Sequence, residues 1–226
     1  MATIEGEYKL FPTLVWNVDC SELLPEVTEV IKKTPWMQQN PGVSEGFEVL
    51  KEHKKLTEKF EKIINFVLDD IKYCVPMKMT TSWFTNTVPG RRVEEHNHNN
   101  SFWSAVFYLR DSSPLVILKG NVGIEVPYST PKQDLRMHGG CPINAKQGHM
   151  IVFPSKVRHA SEFNNTPYSR YSLAMNFMPS SQVFQFDSSY HYGSNSFNSS
   201  DMSTSKKERI SKIEEYELER LDKGFG

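Results

Sequence analysis

Residues 94–109 read EEHNHNNSFWSAVFYL, with His96 and His98 two apart at the head of an apolar run. In extended chain, alternate side chains leave the backbone on the same side. Both imidazoles can therefore reach one point in space. Neutral imidazole is a ligand for iron, copper, nickel and zinc alike. Two ligands make a weak site, so a third is needed. The downstream candidates are His138, His149 and His159. His159 has the most informative setting, GHMIVFPSKVRHASEFNNTPYSRYSLAMNF: a glycine before a strand, a Pro-Ser turn, and the histidine at the head of the next strand. Arg170 and Ser172 follow, two apart on one face of a further strand. Glu95 adjoins His96 and points away from it, whereas Glu94, two residues before His96, is a fallback carboxylate ligand.

The elements that must position these residues are legible as changes of period. Residues 9–18 read as a short strand. SELLPEVTEVIKK (21–33) reads as a helix that Ser21 can cap, with Leu24, Val27, Val30 and Ile31 on one face. Residues 34–46 read as loop. A second helix is expected over about 51–73, with Leu56, Phe60, Ile63, Ile64, Val67 and Ile71 at helical spacing. From 78 onward the runs 78–87, 102–110, 115–120, 123–128, 149–155 and 169–178 are short and rich in β-branched and aromatic residues, and Gly, Pro, Asn and Asp separate them. This predicts a mainly β fold with flanking helices: a sandwich or barrel with the helices packed outside. The expected domain covers 1–179, with N-terminal helices over roughly 1–77 and a β core over roughly 78–179. Residues 180–205, dominated by Ser and Asn, read as a flexible segment. Residues 206–226 carry a charged helix with a stripe of Ile210, Ile213, Tyr216, Leu218 and Leu221, which could pack on the domain or form a homo-oligomer contact.

Composition excludes several classes. The chain has 226 residues with 26 basic and 27 acidic side chains. That balance gives no nucleic-acid footprint. Cys20, Cys74 and Cys141 are three, far apart and without a CxxC, so neither a disulfide framework nor a thiolate zinc site is expected. This fits a reducing, cytoplasmic compartment. No run of apolar residues is long enough to span a membrane.

The motifs together resemble the Fe(II)- and 2-oxoglutarate-dependent oxygenases of the double-stranded β-helix, or jelly-roll, type. These carry a His-x-Asp/Glu pair at a strand end, a distal His, and an Arg, often as Arg-x-Ser, a short way beyond it. HNHNNSFWSAVFYL, LFPT near the start and VFPSKVRH before the distal His are similar to a bacterial and phage group related to prolyl hydroxylases. The resemblance covers about residues 9–178. It implies Fe(II) held by His96, His98 and His159, with O₂ and 2-oxoglutarate as co-substrates. One departure is that His98 stands where the family has its carboxylate. The planar fork of Arg170 suits the distal carboxylate of 2-oxoglutarate, with Ser172 as a further donor. Tyr108 and Asn86 are the other expected co-substrate contacts. The implied reaction is hydroxylation of a prime substrate, small molecule or peptide, with a peptidyl proline suggested by the resemblance. Two rivals do not need Arg170: a three-histidine enzyme without 2-oxoglutarate (a cupin-type dioxygenase or a zinc hydrolase) and a non-catalytic jelly-roll binding module. An ordinary surface ion pair is the alternative role for Arg170, and packing is the expected role of Trp83 and Trp103.

Overall fold

A computed structural model of the chain describes residues 13–40, 42–73, 75–118 and 139–180. The chain divides into one unit over Met1–Met178 and another over Pro179–Gly226. The expected strand over 123–128, the Ser/Asn-rich segment and the charged C-terminal helix lie outside the described residues. So do Cys74, His138 and His191.

The described strands are β1 (Trp16–Asp19), β2 (Met77–Thr87), β3 (Trp103–Tyr108), β4 (Ser112–Leu118), β5 (Gly140–Ala145), β6 (His149–Pro154), β7 (His159–Ser161) and β8 (Arg170–Pro179). They form a five-stranded sheet in the order β1-β6-β3-β8-β2 and a three-stranded sheet in the order β5-β4-β7. The registered pairs of β3 with β6 and β8, and of β4 with β5 and β7, are all antiparallel. Two facing antiparallel sheets are the expected jelly-roll architecture.

The larger sheet has two different faces because side chains alternate along each strand. Phe107, Met150, Val152, Leu173, Met175 and Phe177 point to one side. There they meet α1 (Leu24–Lys33) and α2 (Lys54–Asp69). Val27, Val30, Phe60, Ile64 and Val67 are the helix residues that bury against it, and Phe60 meets Phe107 edge-on at 5.8 Å. Each such side chain contributes roughly 1.5–3 kcal/mol on leaving water. The opposite face looks toward the smaller sheet, where Ile151 and Phe153 pack with Leu115 and Ile117. Trp103 lies in the helix-side core against Trp16 and Tyr73, as expected of a packing residue.

Three local expectations differ from the structure. Ser21 does not cap α1: it opens a short 3-10 turn over Ser21–Leu23, and its own N–H donates to Asp19 Oδ1 at 3.0 Å. The second helix ends at Asp69, leaving Ile71 beyond it, while Leu68 takes a buried place. Strand β5 has no counterpart among the expected strands, and its Gly140 and Pro142 are poor strand formers. Among the described strands β5 lies at the end of the sheet order, where Pro is tolerated. Gly140 is required by crowding, since a Cβ there would lie 2.8 Å from Val116 Cγ1. Before β6, Gly148 (φ +75°) accepts from Cys20 N–H and donates to Tyr108 C=O, and a Cβ would strike Ser21.

Candidate active site

Backbone hydrogen bonds bring the three expected histidines together. His96 and His159 face each other in an isolated antiparallel bridge, exchanging N–H···O bonds of 3.0 and 2.9 Å. His98 N–H donates to Ser155 C=O at 2.8 Å, in the turn leading to β7. The ring centroids are 4.3 Å apart for His96–His159, 5.0 Å for His96–His98 and 5.2 Å for His98–His159. Each residue offers a ring nitrogen within 4.8 Å of the others. The shared face inferred from the two-residue spacing is therefore present.

Two of the rings are set by a second contact. His96 Nδ1–H donates to Glu94 C=O at 2.8 Å, and His159 Nδ1–H donates to Val157 C=O at 2.9 Å. Those bonds leave Nε2 as the lone-pair nitrogen, as in metal-ligating histidines. Burial pushes both His98 and His159 down to about 4, helped by the neighbouring imidazoles, so both are neutral at ordinary pH. A set of three imidazoles fits a borderline transition metal such as Fe(II). Glu94 is not part of the set: its carboxylate is turned outward into a bidentate contact with Arg92. Glu95 pairs with Arg158. The other described histidine of the β core, His149, starts β6 and contacts Asn17 instead.

Arg170 is buried, at 5% exposure, and is not in an ion pair with any described residue. Its guanidinium donates to Ser161 Oγ at 2.6 Å and to Ser113 C=O at 3.4 Å, both neutral acceptors. Burial lowers its pKa, yet guanidinium stays charged in proteins. Arg170 is therefore not a surface side chain, and the fold holds a buried cation facing a cavity. Beside it, Ser172 shares a 2.6 Å hydroxyl contact with Thr85. Tyr108, opposite Ser172 in the β3–β8 register, is buried, and burial pushes its phenol up so that it remains a donor. Asn86 lines the same cavity, and its Oδ1 is buried without a hydrogen-bond partner among the described residues. A buried cation and hydroxyl donors are what a dicarboxylate co-substrate needs.

The cavity has a volume of about 960 Å³ and contains the three histidines together with Arg170, Ser172, Tyr108 and Asn86. It also shows residues that sequence reasoning passed over. Trp83 stands 5.5 Å from the His98 ring and meets Phe47 edge-on at 5.8 Å, so it is a cavity wall and not simply a packing residue. Ser161, two residues after His159 on the same strand, orients Arg170. Asn164 joins the loop before the histidines to the loop before β8. The two-residue period in β2, which brings Thr81, Trp83, Thr85 and Thr87 to the cavity, was a readable signal. The loop contacts of Phe47 and Asn164 left none.

Residues 81–176 match the family described as "Putative 2OG-Fe(II) oxygenase". No curated protein sequence matches the chain significantly. Among solved structures, the fold is similar to an oxidoreductase of the 2OG-Fe(II) oxygenase family from Burkholderia pseudomallei, at TM-score 0.54 and 11% identity over 73% of this chain and 83% of that one. It is also similar to SnoK, an alpha-ketoglutarate-dependent carbocyclase of nogalamycin biosynthesis (TM-score 0.53, 12% identity, 74% and 80% covered). HygX from Streptomyces hygroscopicus, with nickel, 2-oxoglutarate and hygromycin B bound, compares at TM-score 0.53 and 10% identity (74% and 83% covered). These likenesses establish the fold. The matched segment, which contains His96, His98, His159 and Arg170, is similar to the 2-oxoglutarate- and Fe(II)-dependent oxygenases. Those enzymes are oxidoreductases that take Fe(II), 2-oxoglutarate and O₂. Among the described residues, no helix is long and apolar enough to cross a membrane.

Proposed function

We propose that the chain is a hydroxylase in which His96, His98 and His159 hold Fe(II) on one face and Arg170 binds the distal carboxylate of 2-oxoglutarate. The observation that carries this reading is Arg170, a buried guanidinium with two neutral partners and no described acid. A buried unpaired charge costs several kcal/mol, and a carboxylate ligand would offset that cost. Neither the zinc hydrolase nor the non-catalytic module gives Arg170 a purpose.

Each residue then has a definite task. Glu94 and Val157 carbonyls fix the rings of His96 and His159 with Nε2 free. Ser161 holds the guanidinium fork toward the cavity, and the Thr85–Ser172 hydroxyl pair and the Tyr108 phenol can donate to the same carboxylate. Asn86 offers its amide to the co-substrate. Val106, Leu115 and Ala174 line the cavity and limit water. Bound Fe(II) supplies O₂ activation coupled to conversion of 2-oxoglutarate to succinate and CO₂. With three protein ligands in place, position 98 leaves no room for a halide, which favours hydroxylation. The resemblance to prolyl hydroxylases suggests a peptidyl proline as substrate.

The test is anaerobic titration of the Fe(II)-loaded protein with 2-oxoglutarate, followed by visible absorption. A weak charge-transfer band that appears in wild type and is lost in His159→Ala is expected. Metal binding that depends on His159 but gives no band with 2-oxoglutarate would overturn the reading in favour of the cupin or zinc alternatives.

A further inference from the structure

We infer that the prime substrate is a small anion with a flat ring, its charge met by Arg91 and its ring by the Phe47–Trp83 wall. This rests on the oxygenase reading above and names the substrate class of that same site.

The charge of the cavity is one-sided. Among the described residues that line it, the charged side chains are Arg91, Arg92 and Arg170, and none is Asp or Glu. His98 in place of a carboxylate removes the negative charge that a metal ligand would have contributed. Fe(II) and the 2-oxoglutarate dianion cancel, so Arg170 leaves the loaded cavity with a net positive charge. Of the two arginines at the mouth, Arg92 is already engaged: Glu94 takes it bidentately, and it lies 4.9 Å over the Phe163 ring. Arg91 is exposed and has no side-chain hydrogen bond or ion pair to a described residue. Its backbone is nevertheless pinned, since Arg91 N–H donates to Val88 C=O at 3.1 Å and its C=O accepts from Asn164 N–H at 2.8 Å. A fixed backbone with an unengaged guanidinium suits ligand capture better than a frayed surface loop does.

The apolar part of the mouth is built in the same way. Phe47 is 51% exposed and stands at the mouth of the cavity beside Trp83. Its backbone is fixed as an extra edge on β2: Ser82 N–H donates to Phe47 C=O at 2.8 Å, and Val49 N–H donates to Ser82 C=O at 3.0 Å. Trp83, on that strand, places its indole between Phe47 and His98. A flat ring resting there would lie beside the metal ligands. The cavity volume of about 960 Å³ is that of a small-molecule cleft, roughly 300–1,000 Å³.

Calorimetry on the full-length, Ni(II)-loaded protein, with and without saturating 2-oxoglutarate, tests this with three probes of one shape: indole-3-acetate, its neutral amide and the cation tryptamine. The acetate is expected to bind about tenfold tighter than the amide, a difference of about 1.4 kcal/mol, with tryptamine weakest. Arg91→Gln should bring acetate and amide close together while leaving 2-oxoglutarate affinity unchanged. Phe47→Ala should weaken acetate and amide alike. Equal binding of acetate and amide, a preference that survives Arg91→Gln, or no binding of any probe would overturn the inference. If 2-oxoglutarate fails to bind while the Arg91-dependent preference persists, the oxygenase reading falls and the anion pocket stands.

Discussion

Replacing Arg170 by Met should move two measurements in opposite directions. The guanidinium is 5% exposed and rests on Ser161 Oγ and Ser113 C=O, with no described acid beside it. In the ligand-free protein it is therefore a desolvated charge with only dipolar compensation. Exchanging such a charge for an apolar side chain of similar length is commonly neutral or stabilising. Ser161 Oγ would keep its other donor, Val93 N–H at 2.8 Å, so no orphaned group results there. Unfolding of the metal-free variant in urea should lie within about 1 kcal/mol of wild type, or above it. With 2-oxoglutarate the sign reverses. Truncating one member of a buried, hydrogen-bonded charge pair costs about 2–5 kcal/mol, which is on the order of 10²–10³ in Kd near the middle of that range. The anaerobic charge-transfer titration reads this directly, because the metal ligands are untouched and the band should still form at high 2-oxoglutarate. If Arg170→Met binds 2-oxoglutarate within about threefold of wild type, a range worth less than 1 kcal/mol, the assignment is refuted. A drop of more than about 2 kcal/mol in metal-free stability would instead mark Arg170 as part of the core, a loss in the range of core substitutions.

Three further outcomes follow from the site's construction. His98→Ala should weaken Fe(II) binding by more than the roughly 10–100-fold typical of losing an outer-shell partner, whereas His98→Asp should retain the metal; equal metal affinity in wild type and His98→Ala would remove His98 from the set. Burial holds His98 and His159 near 4 against 6.5 for a free imidazole, so the unfolded chain binds more protons between those values. Stability of the metal-free protein from these two groups is complete above pH 6.5 and is lost as pH falls toward 4, with a slope approaching about 1.4 kcal/mol per pH unit for each; urea midpoints at pH 7.5 and 5 should differ, and the difference should shrink in His98→Ala. Asn164, buried at 1% exposure, donates to Thr87 C=O and Tyr168 C=O at 2.8 and 2.9 Å and accepts from Thr166. Asn164→Leu should cost about 2–4 kcal/mol by stranding two buried carbonyls, and an unchanged thermal midpoint would contradict that.

The three clustered histidines were legible because their chemistry is written locally. The His96–His98 spacing requires only an extended chain, His159 heads a short strand, and Arg170 heads one whose apolar alternation at Leu173, Met175 and Phe177 is plain. The same alternation marks Thr81, Trp83 and Thr85 as cavity-facing. What stayed hidden depends on contacts distant in sequence. Strand β5 contains Gly140 and Pro142, which deny it a strand signature; crowding against Val116 accounts for the first, and a place at the end of the described sheet order for the second. Asn164 is one asparagine among several in a loop; its role comes from Thr87, far back along the chain. Phe47 lies in a segment that reads as loop, and its place beside Trp83 follows from backbone pairing with β2 that no local pattern encodes.

The register of β8 links the stability of the fold to the geometry of the site. Leu173, Met175 and Phe177 are fully buried toward the helices, while the intervening Arg170, Ser172, Ala174 and Asn176 look into the cavity. Pairing with β3 places Tyr108 against Ser172 and Ser104 against Asn176. On the cavity side those rungs are closed by Thr85–Ser172 and by the chain from Ser155 through Ser104 and Asn176 to Thr81. A slip of one residue would send Phe177, Met175 and Leu173 into the polar cavity and strand Arg170 against the helices. The apolar side therefore fixes the register by a margin of several buried side chains. The polar side inherits from it the placement of the Arg170 guanidinium, and this is how a buried charge with no described acid partner is held at the cavity wall.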